Sequence, residues 1–154
     1  PMIVPDVNLL VYAYSQRAPL HAEARKWWEA TLGEGEPVGI PWAVLCGFIR
    51  ITTHPAVLNP PLRVERALEL VRSWLERPGV RILEPGPRHF EILAGLLSGL
   101  GVAGNLTTDA HLAAIAIEHH CEVHSNDTDF ARFPGLRWRD PLRKGAEAGR
   151  RRER

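Results

Sequence analysis

A chain of 154 residues that is 45% hydrophobic is long enough for one domain with a real core and too short to argue for two. It has no apolar run of about 18 residues to cross a bilayer, and no basic segment followed by an apolar one at its N-terminus, so neither insertion nor secretion is expected and the default compartment is the cytoplasm. The net charge of +1 hides an asymmetry: residues from Arg143 onward hold six of the 19 basic and two of the 18 acidic side chains, a tail of +4, which leaves −3 on residues 1–142. The tail reads as a solvated terminus, and as a salt-sensitive phosphate contact in the sharper alternative. Cys46 and Cys121 are too few for a disulfide framework and read as free thiols of a reducing compartment.

Met2, Ile3 and Val4 form a short apolar strand, with Asp6 just after it. Asn8 to Ser15 is a helix that packs on a sheet. Pro19 opens a second helix, HAEARKWWEATL, which ends near Gly33 and turns Trp27, Trp28 and Leu32 toward the core. Val38 to Ile40 is a second strand. The apolar run WAVLCGFIRITT, Trp42 to Thr53, predicts a mostly buried helix interrupted only by Arg50. The proline-rich stretch His54 to Pro61 is a loop, after which LRVERALELVRSWLERP repeats apolar residues at helical spacing as an amphipathic surface helix. Val80 to Leu83 is a third strand, and RHFEILAGLLSGLG a helix stopped by the glycines at 99, 101 and 104.

The alanine-rich segment from Ala110 to Ile117 predicts a buried helix, for which Thr107 or Thr108 supplies the N-cap hydroxyl, so that Asp109 sits in the first turn. Glu122 to Ser125 is a fourth strand that ends in Asn126, Asp127, Thr128 and Asp129, and LRWRDP a last one. Helices alternating with short strands predict a parallel, helix-covered α/β sheet with right-handed crossovers. No internal repeat or linker is present.

Of the five aspartates, Asp6, Asp109, Asp127 and Asp129 fall at element junctions. The carboxyl ends of parallel strands form a crevice where residues distant in sequence converge. Carboxylates brought together there repel and raise one another's pKa unless a cation joins them. Oxygen ligands suit Mg²⁺ or Mn²⁺ better than zinc. The chemistry that follows is in-line hydrolysis of a phosphodiester by a metal-activated water, with no nucleophilic side chain. A single Asp beside Thr or Asn is ordinarily a loop or cap residue; four at strand ends are stronger evidence.

Arg50 suits either a bidentate phosphate contact or an ordinary salt bridge. His119, His120, Cys121 and His124 match no standard structural zinc spacing and are expected to form a basic helix C-terminus, while His111 is expected to pack or cap rather than touch substrate. Phosphatases of the haloacid dehalogenase type and receiver domains need a lysine after a strand, and the only lysines are Lys26 and Lys144.

The blocks PDVNLLVYA, PWAVLCGFIRITTHP, TTDAHLAAIAIEHHCEV and SNDTDFARFPGLRWRDPL, in that order, resemble the PIN-domain family, specifically the VapC toxins of bacterial type II toxin-antitoxin pairs. The resemblance implies a three-layer α/β/α sandwich with a short-stranded parallel sheet. It implies a Mg²⁺- or Mn²⁺-dependent endoribonuclease acting on structured RNA such as tRNA or rRNA, a cognate VapB-like antitoxin that neutralises it, and a homodimer. By position Asp6, Asp109 and Asp127 match the family's catalytic acids and Asp129 an accessory metal ligand. One departure stands out: the family carries a glutamate in the helix before the arginine, and here that position falls on Gly47 or Cys46. The alternative it raises is a catalytically impaired PIN-like module that binds RNA or an antitoxin.

Overall fold

The computed structural model describes residues 1–33 and 35–143; apart from Arg143, the basic tail lies outside the described residues. In chain order the elements are β1 (Ile3–Pro5), α1 (Val7–Tyr14), α2 (His21–Gly33), β2 (Val38–Pro41), α3 (Trp42–Thr52), α4 (Val64–Leu75), β3 (Val80–Leu83), α5 (His89–Leu100), α6 (Thr107–Glu118), β4 (Glu122–His124) and β5 (Arg137–Arg139). The strands order as β3-β2-β1-β4-β5, with every neighbouring pair parallel. The expected parallel sheet is therefore present.

Alternate strand residues point to opposite faces, yet every residue of β1 and β2 is buried, so helices cover both faces of the sheet centre. The helices pack in two groups, α1 with α2 and α3 and α3 with α4, and separately α5 with α6. The result is the three-layer α/β/α sandwich. An aromatic cluster fastens the first group. The Trp74 ring meets Phe48 at 4.8 Å and Trp28 at 5.5 Å, and its indole N–H donates to the Tyr14 hydroxyl at 3.1 Å. Trp28 is a core residue, as expected of the tryptophan side of α2, and Trp74 of α4 is buried against it.

Three local expectations need correction. α3 is one-sided rather than mostly buried: Val44, Leu45, Phe48 and Thr52 point inward, while Trp42, 51% exposed, Ala43 and Cys46 join Arg50 outside. An unbroken apolar run carries no phase, so its letters hide which face is solvated. The N-cap of α6 is Leu106, with no side-chain cap, because a 3-10 turn at Gly104–Leu106 runs directly into the helix and leaves both threonines inside it. Of the three glycines, Gly101 ends α5 in the left-handed conformation at φ 69°, while Gly99 lies inside the helix and Gly104 in the 3-10 turn.

The chain builds outward from β1 through β2 to β3, then returns to place β4 on the other side of β1. The order reverses between β1 and β4, and a crevice opens beyond the carboxyl ends of strands at such a switch point.

Candidate active site

Asp6 leaves the end of β1 and becomes the N-cap of α1, its Oδ1 accepting the Val7 N–H at 2.8 Å. Its own N–H donates to the His124 carbonyl at 2.9 Å, which carries the β1–β4 pairing to the lip of the crevice. The next residue, Ser125, is fully buried; its hydroxyl donates to Asp6 Oδ2 at 2.7 Å and accepts the Asp127 N–H at 3.0 Å. One hydroxyl thus ties together the acids that follow β1 and β4. Trp138 of β5 donates its indole N–H to the Ser125 carbonyl at 3.1 Å, and Asn126 is held by Asp140 at 2.9 Å. The fifth aspartate is therefore a brace for this loop.

Asp127 caps a 3-10 turn, Thr128–Arg132, by accepting the Asp129 N–H at 2.9 Å. Phe130 and Phe133 are buried on either side of the turn's end and fix it to the core. Asp109 comes from the first turn of α6, as expected. Oxygens of Asp109, Asp127 and Asp129 all lie within 4.8 Å of one another, and no other such group of potential metal ligands occurs among the described residues. Asp6 stands beside this trio without belonging to it, its two oxygens already engaged by Val7 and Ser125.

The electrostatics favour a positive charge at the cluster. Burial, followed by the charges of Asp6, Asp127 and Asp129, pushes Asp109 up to about 7, and a hydrogen bond to Asp127 holds its proton. Burial likewise raises Asp6 against the opposing pull of Ser125 and Val7. The crowding of negative charge thus favours the protonated form of Asp109. A hard divalent cation would replace that proton with more charge and more oxygen contacts, so the donor set fits Mg²⁺ or Mn²⁺.

The histidines are placed otherwise. His120, in the left-handed region at φ 56°, and Cys121 close α6 by donating to the Ile117 and Ala116 carbonyls, while His119 bonds the Glu84 carbonyl. His111 meets His89 at 2.9 Å between α6 and α5, a packing role. His124 is buried, with Glu122 at 2.7 Å from Nε2, and its Nδ1 accepts the Trp27 indole N–H at 3.1 Å. An indole N–H only donates, so Trp27 fixes the tautomer of a histidine on the strand that presents Ser125.

Two residues were missed in the sequence. Ser125 reads there as the polar end of a strand, and Trp27 as one half of a core pair. Of the two positions for the absent glutamate, Cys46 is exposed, whereas a Cβ on Gly47 would stand 3.2 Å from Val7 Cγ2, next to Asp6. Of the two, Gly47 is the position that faces α1 and the residue after Asp6. Arg50, one turn further along, is exposed and makes no ion pair among the described residues.

The family model for the PIN domain matches residues 3–136. Ribonuclease VapC33 of Mycobacterium tuberculosis is 49% identical over 143 residues, covering 93% of this chain and all of that protein, and Ribonuclease VapC37 of the same species is 38% identical over 140 residues, covering 91% and 97%. Among solved structures, VapBC2 from Rickettsia felis, bound to a DNA fragment from its promoter, superposes with a TM-score of 0.66 at 18% identity over 90% of this chain and 98% of that one. Mycobacterium tuberculosis VapC20, a sarcin-ricin loop cleaving toxin, superposes with a TM-score of 0.62 at 16% identity over 88% and 98%.

Proposed function

The chain belongs to the PIN domain family, and from that membership we propose that it is a VapC-type toxin: an endoribonuclease that hydrolyses phosphodiester bonds in structured RNA and is neutralised by a VapB-like antitoxin. The observation that carries the chemistry is the carboxylate trio at the switch point, with Asp109 pushed up to about 7 by its neighbours. Asp109, Asp127 and Asp129 would hold a divalent ion, with Asp6 completing the set from the β1 side. A bound Mg²⁺ or Mn²⁺ lowers the pKa of an attacking water and neutralises charge on the leaving oxygen. Asp6, Asp109 and Asp127 orient that water and the phosphate, and Ser125 keeps the first and third of them in register. Arg50, exposed on α3, would serve in this reading as a phosphate contact.

Ribosomal or transfer RNA is the favoured substrate class, since VapC20 is described as cleaving the sarcin-ricin loop. The antitoxin partner follows from solved relatives that are VapBC pairs, and a homodimer and a cytoplasmic location complete the proposal. No helix among the described residues is long and apolar enough to cross a membrane.

Gly47 favours a second reading, an impaired module that binds RNA or antitoxin without cutting. Calorimetry with Mn²⁺ separates the two. The nuclease reading predicts heat of binding that is lost in Asp109→Asn, and an absence of heat from the unaltered protein would favour the impaired module.

A further inference from the structure

Asp129 and Arg132 stand three residues apart on the 3-10 turn Thr128–Arg132, a spacing at which side chains eclipse. Arg132 Nη1 lies 3.9 Å from Asp129 Oδ1, and the two side chains are 47% and 48% exposed. A pair this long and this open contributes little to folding. Among the described residues the guanidinium makes no hydrogen bond, so its planar fork of N–H donors is open to a ligand. Its backbone is nevertheless fixed, because Phe130 and Phe133 are buried at 1% and 3% exposure and Asp127 caps the turn.

A charge of −3 over residues 1–142 and a cluster of carboxylates both repel a polyanion. An RNA strand seated there needs a cation beyond the one the carboxylates hold, at a fixed point beside them. We propose that Arg132 grips a phosphate of the RNA next to the carboxylate trio and so determines substrate affinity. With the charge of Asp129 taken up by a divalent ion, the guanidinium would be released from that pair and could turn its fork to the non-bridging oxygens of the strand. The inference rests on the ribonuclease reading and adds a residue to it.

The test compares the unaltered protein with Arg132→Gln and Arg132→Lys. Binding of bulk bacterial tRNA and rRNA is measured in Ca²⁺ at several KCl concentrations, and cleavage of the same RNA in Mn²⁺. Arg132→Gln should raise KM about tenfold with kcat nearly unchanged, and flatten the plot of log affinity against log salt by roughly 0.7 to 0.9, the loss of one phosphate contact. Arg132→Lys should recover the salt slope and only part of the KM. A role confined to the Asp129 pair would alter thermal stability or Mn²⁺ affinity and leave KM and the slope alone, which overturns the proposal while the ribonuclease reading stands. An unaltered protein that neither binds nor cuts RNA overturns both.

Discussion

Ser125 and Asp109 show how single residues set the character of the site. Ser125 uses one hydroxyl twice, as donor to Asp6 and acceptor from Asp127, so two acids 121 positions apart in the chain share one buried anchor. Asp109 carries the cost of the clustering. In the metal-free protein it keeps its proton up to about pH 7, whereas an unfolded aspartate loses it near 3.8. Between those values the folded state binds more protons than the unfolded one, so the stability from this group is complete at low pH and falls as pH rises toward 7. Asp6, raised by burial, contributes with the same sign. In EDTA the Tm should therefore decline between about pH 4 and pH 7 more steeply for the unaltered protein than for Asp109→Asn, and Mn²⁺, which competes with the proton, should bind more tightly as pH passes 7. Thermal scans across that range check the sign, and identical slopes for the two proteins would show that the proton on Asp109 is not what the cluster keeps.

Among the elements, α3 carries the position where the resemblance leads one to expect a glutamate. A Cβ added to Gly47 would stand 3.2 Å from Val7 Cγ2, and Val7 follows Asp6 directly. Gly47→Glu should place a carboxylate at the α1 side of the site after Val7 gives by a few tenths of an ångström. Replacing glycine in a helix interior also gains about 0.5–1 kcal/mol, which offsets that adjustment. Mn²⁺ affinity should rise in Gly47→Glu and stay unchanged in Cys46→Glu, whose side chain points to solvent; calorimetry showing the reverse would move the gap to Cys46. The elements themselves were legible in the sequence, because short apolar strands such as Val80–Leu83 and the patterned α4 announce their own period. The phase of α3 was not, since alanine, cysteine and glycine look apolar on either face. Nor was Ser125, whose meaning depends on β4 lying beside β1, a pairing made across most of the chain. The four acids were legible as a set because each ends or opens an element. That three of them form the tight group, with Asp6 held aside by Ser125, is a matter of distance and had to be seen in the structure.

For the molecule as a whole, the strand order makes the site. Building β2 and β3 to one side of β1 and β4 and β5 to the other leaves the reversal between β1 and β4, and the carboxylates gather at that point. The rest of the fold supports this: both faces of the central strands are buried, and the rings of Tyr14, Phe48 and Trp74 lock together the helices that carry Val7 and Gly47. A scaffold holding mutually repelling carboxylates suits the metal-dependent phosphodiesterase proposed above, and the match of residues 3–136 to the PIN domain puts the chain in that family. The most direct measurement is the cleavage of total bacterial RNA by antitoxin-free protein in Mg²⁺ or Mn²⁺, run beside EDTA and beside identically purified Asp6→Ala. Discrete fragments that need the metal and vanish in the variant are the predicted result; equal cleavage by both proteins, or none by the unaltered one, would contradict the account.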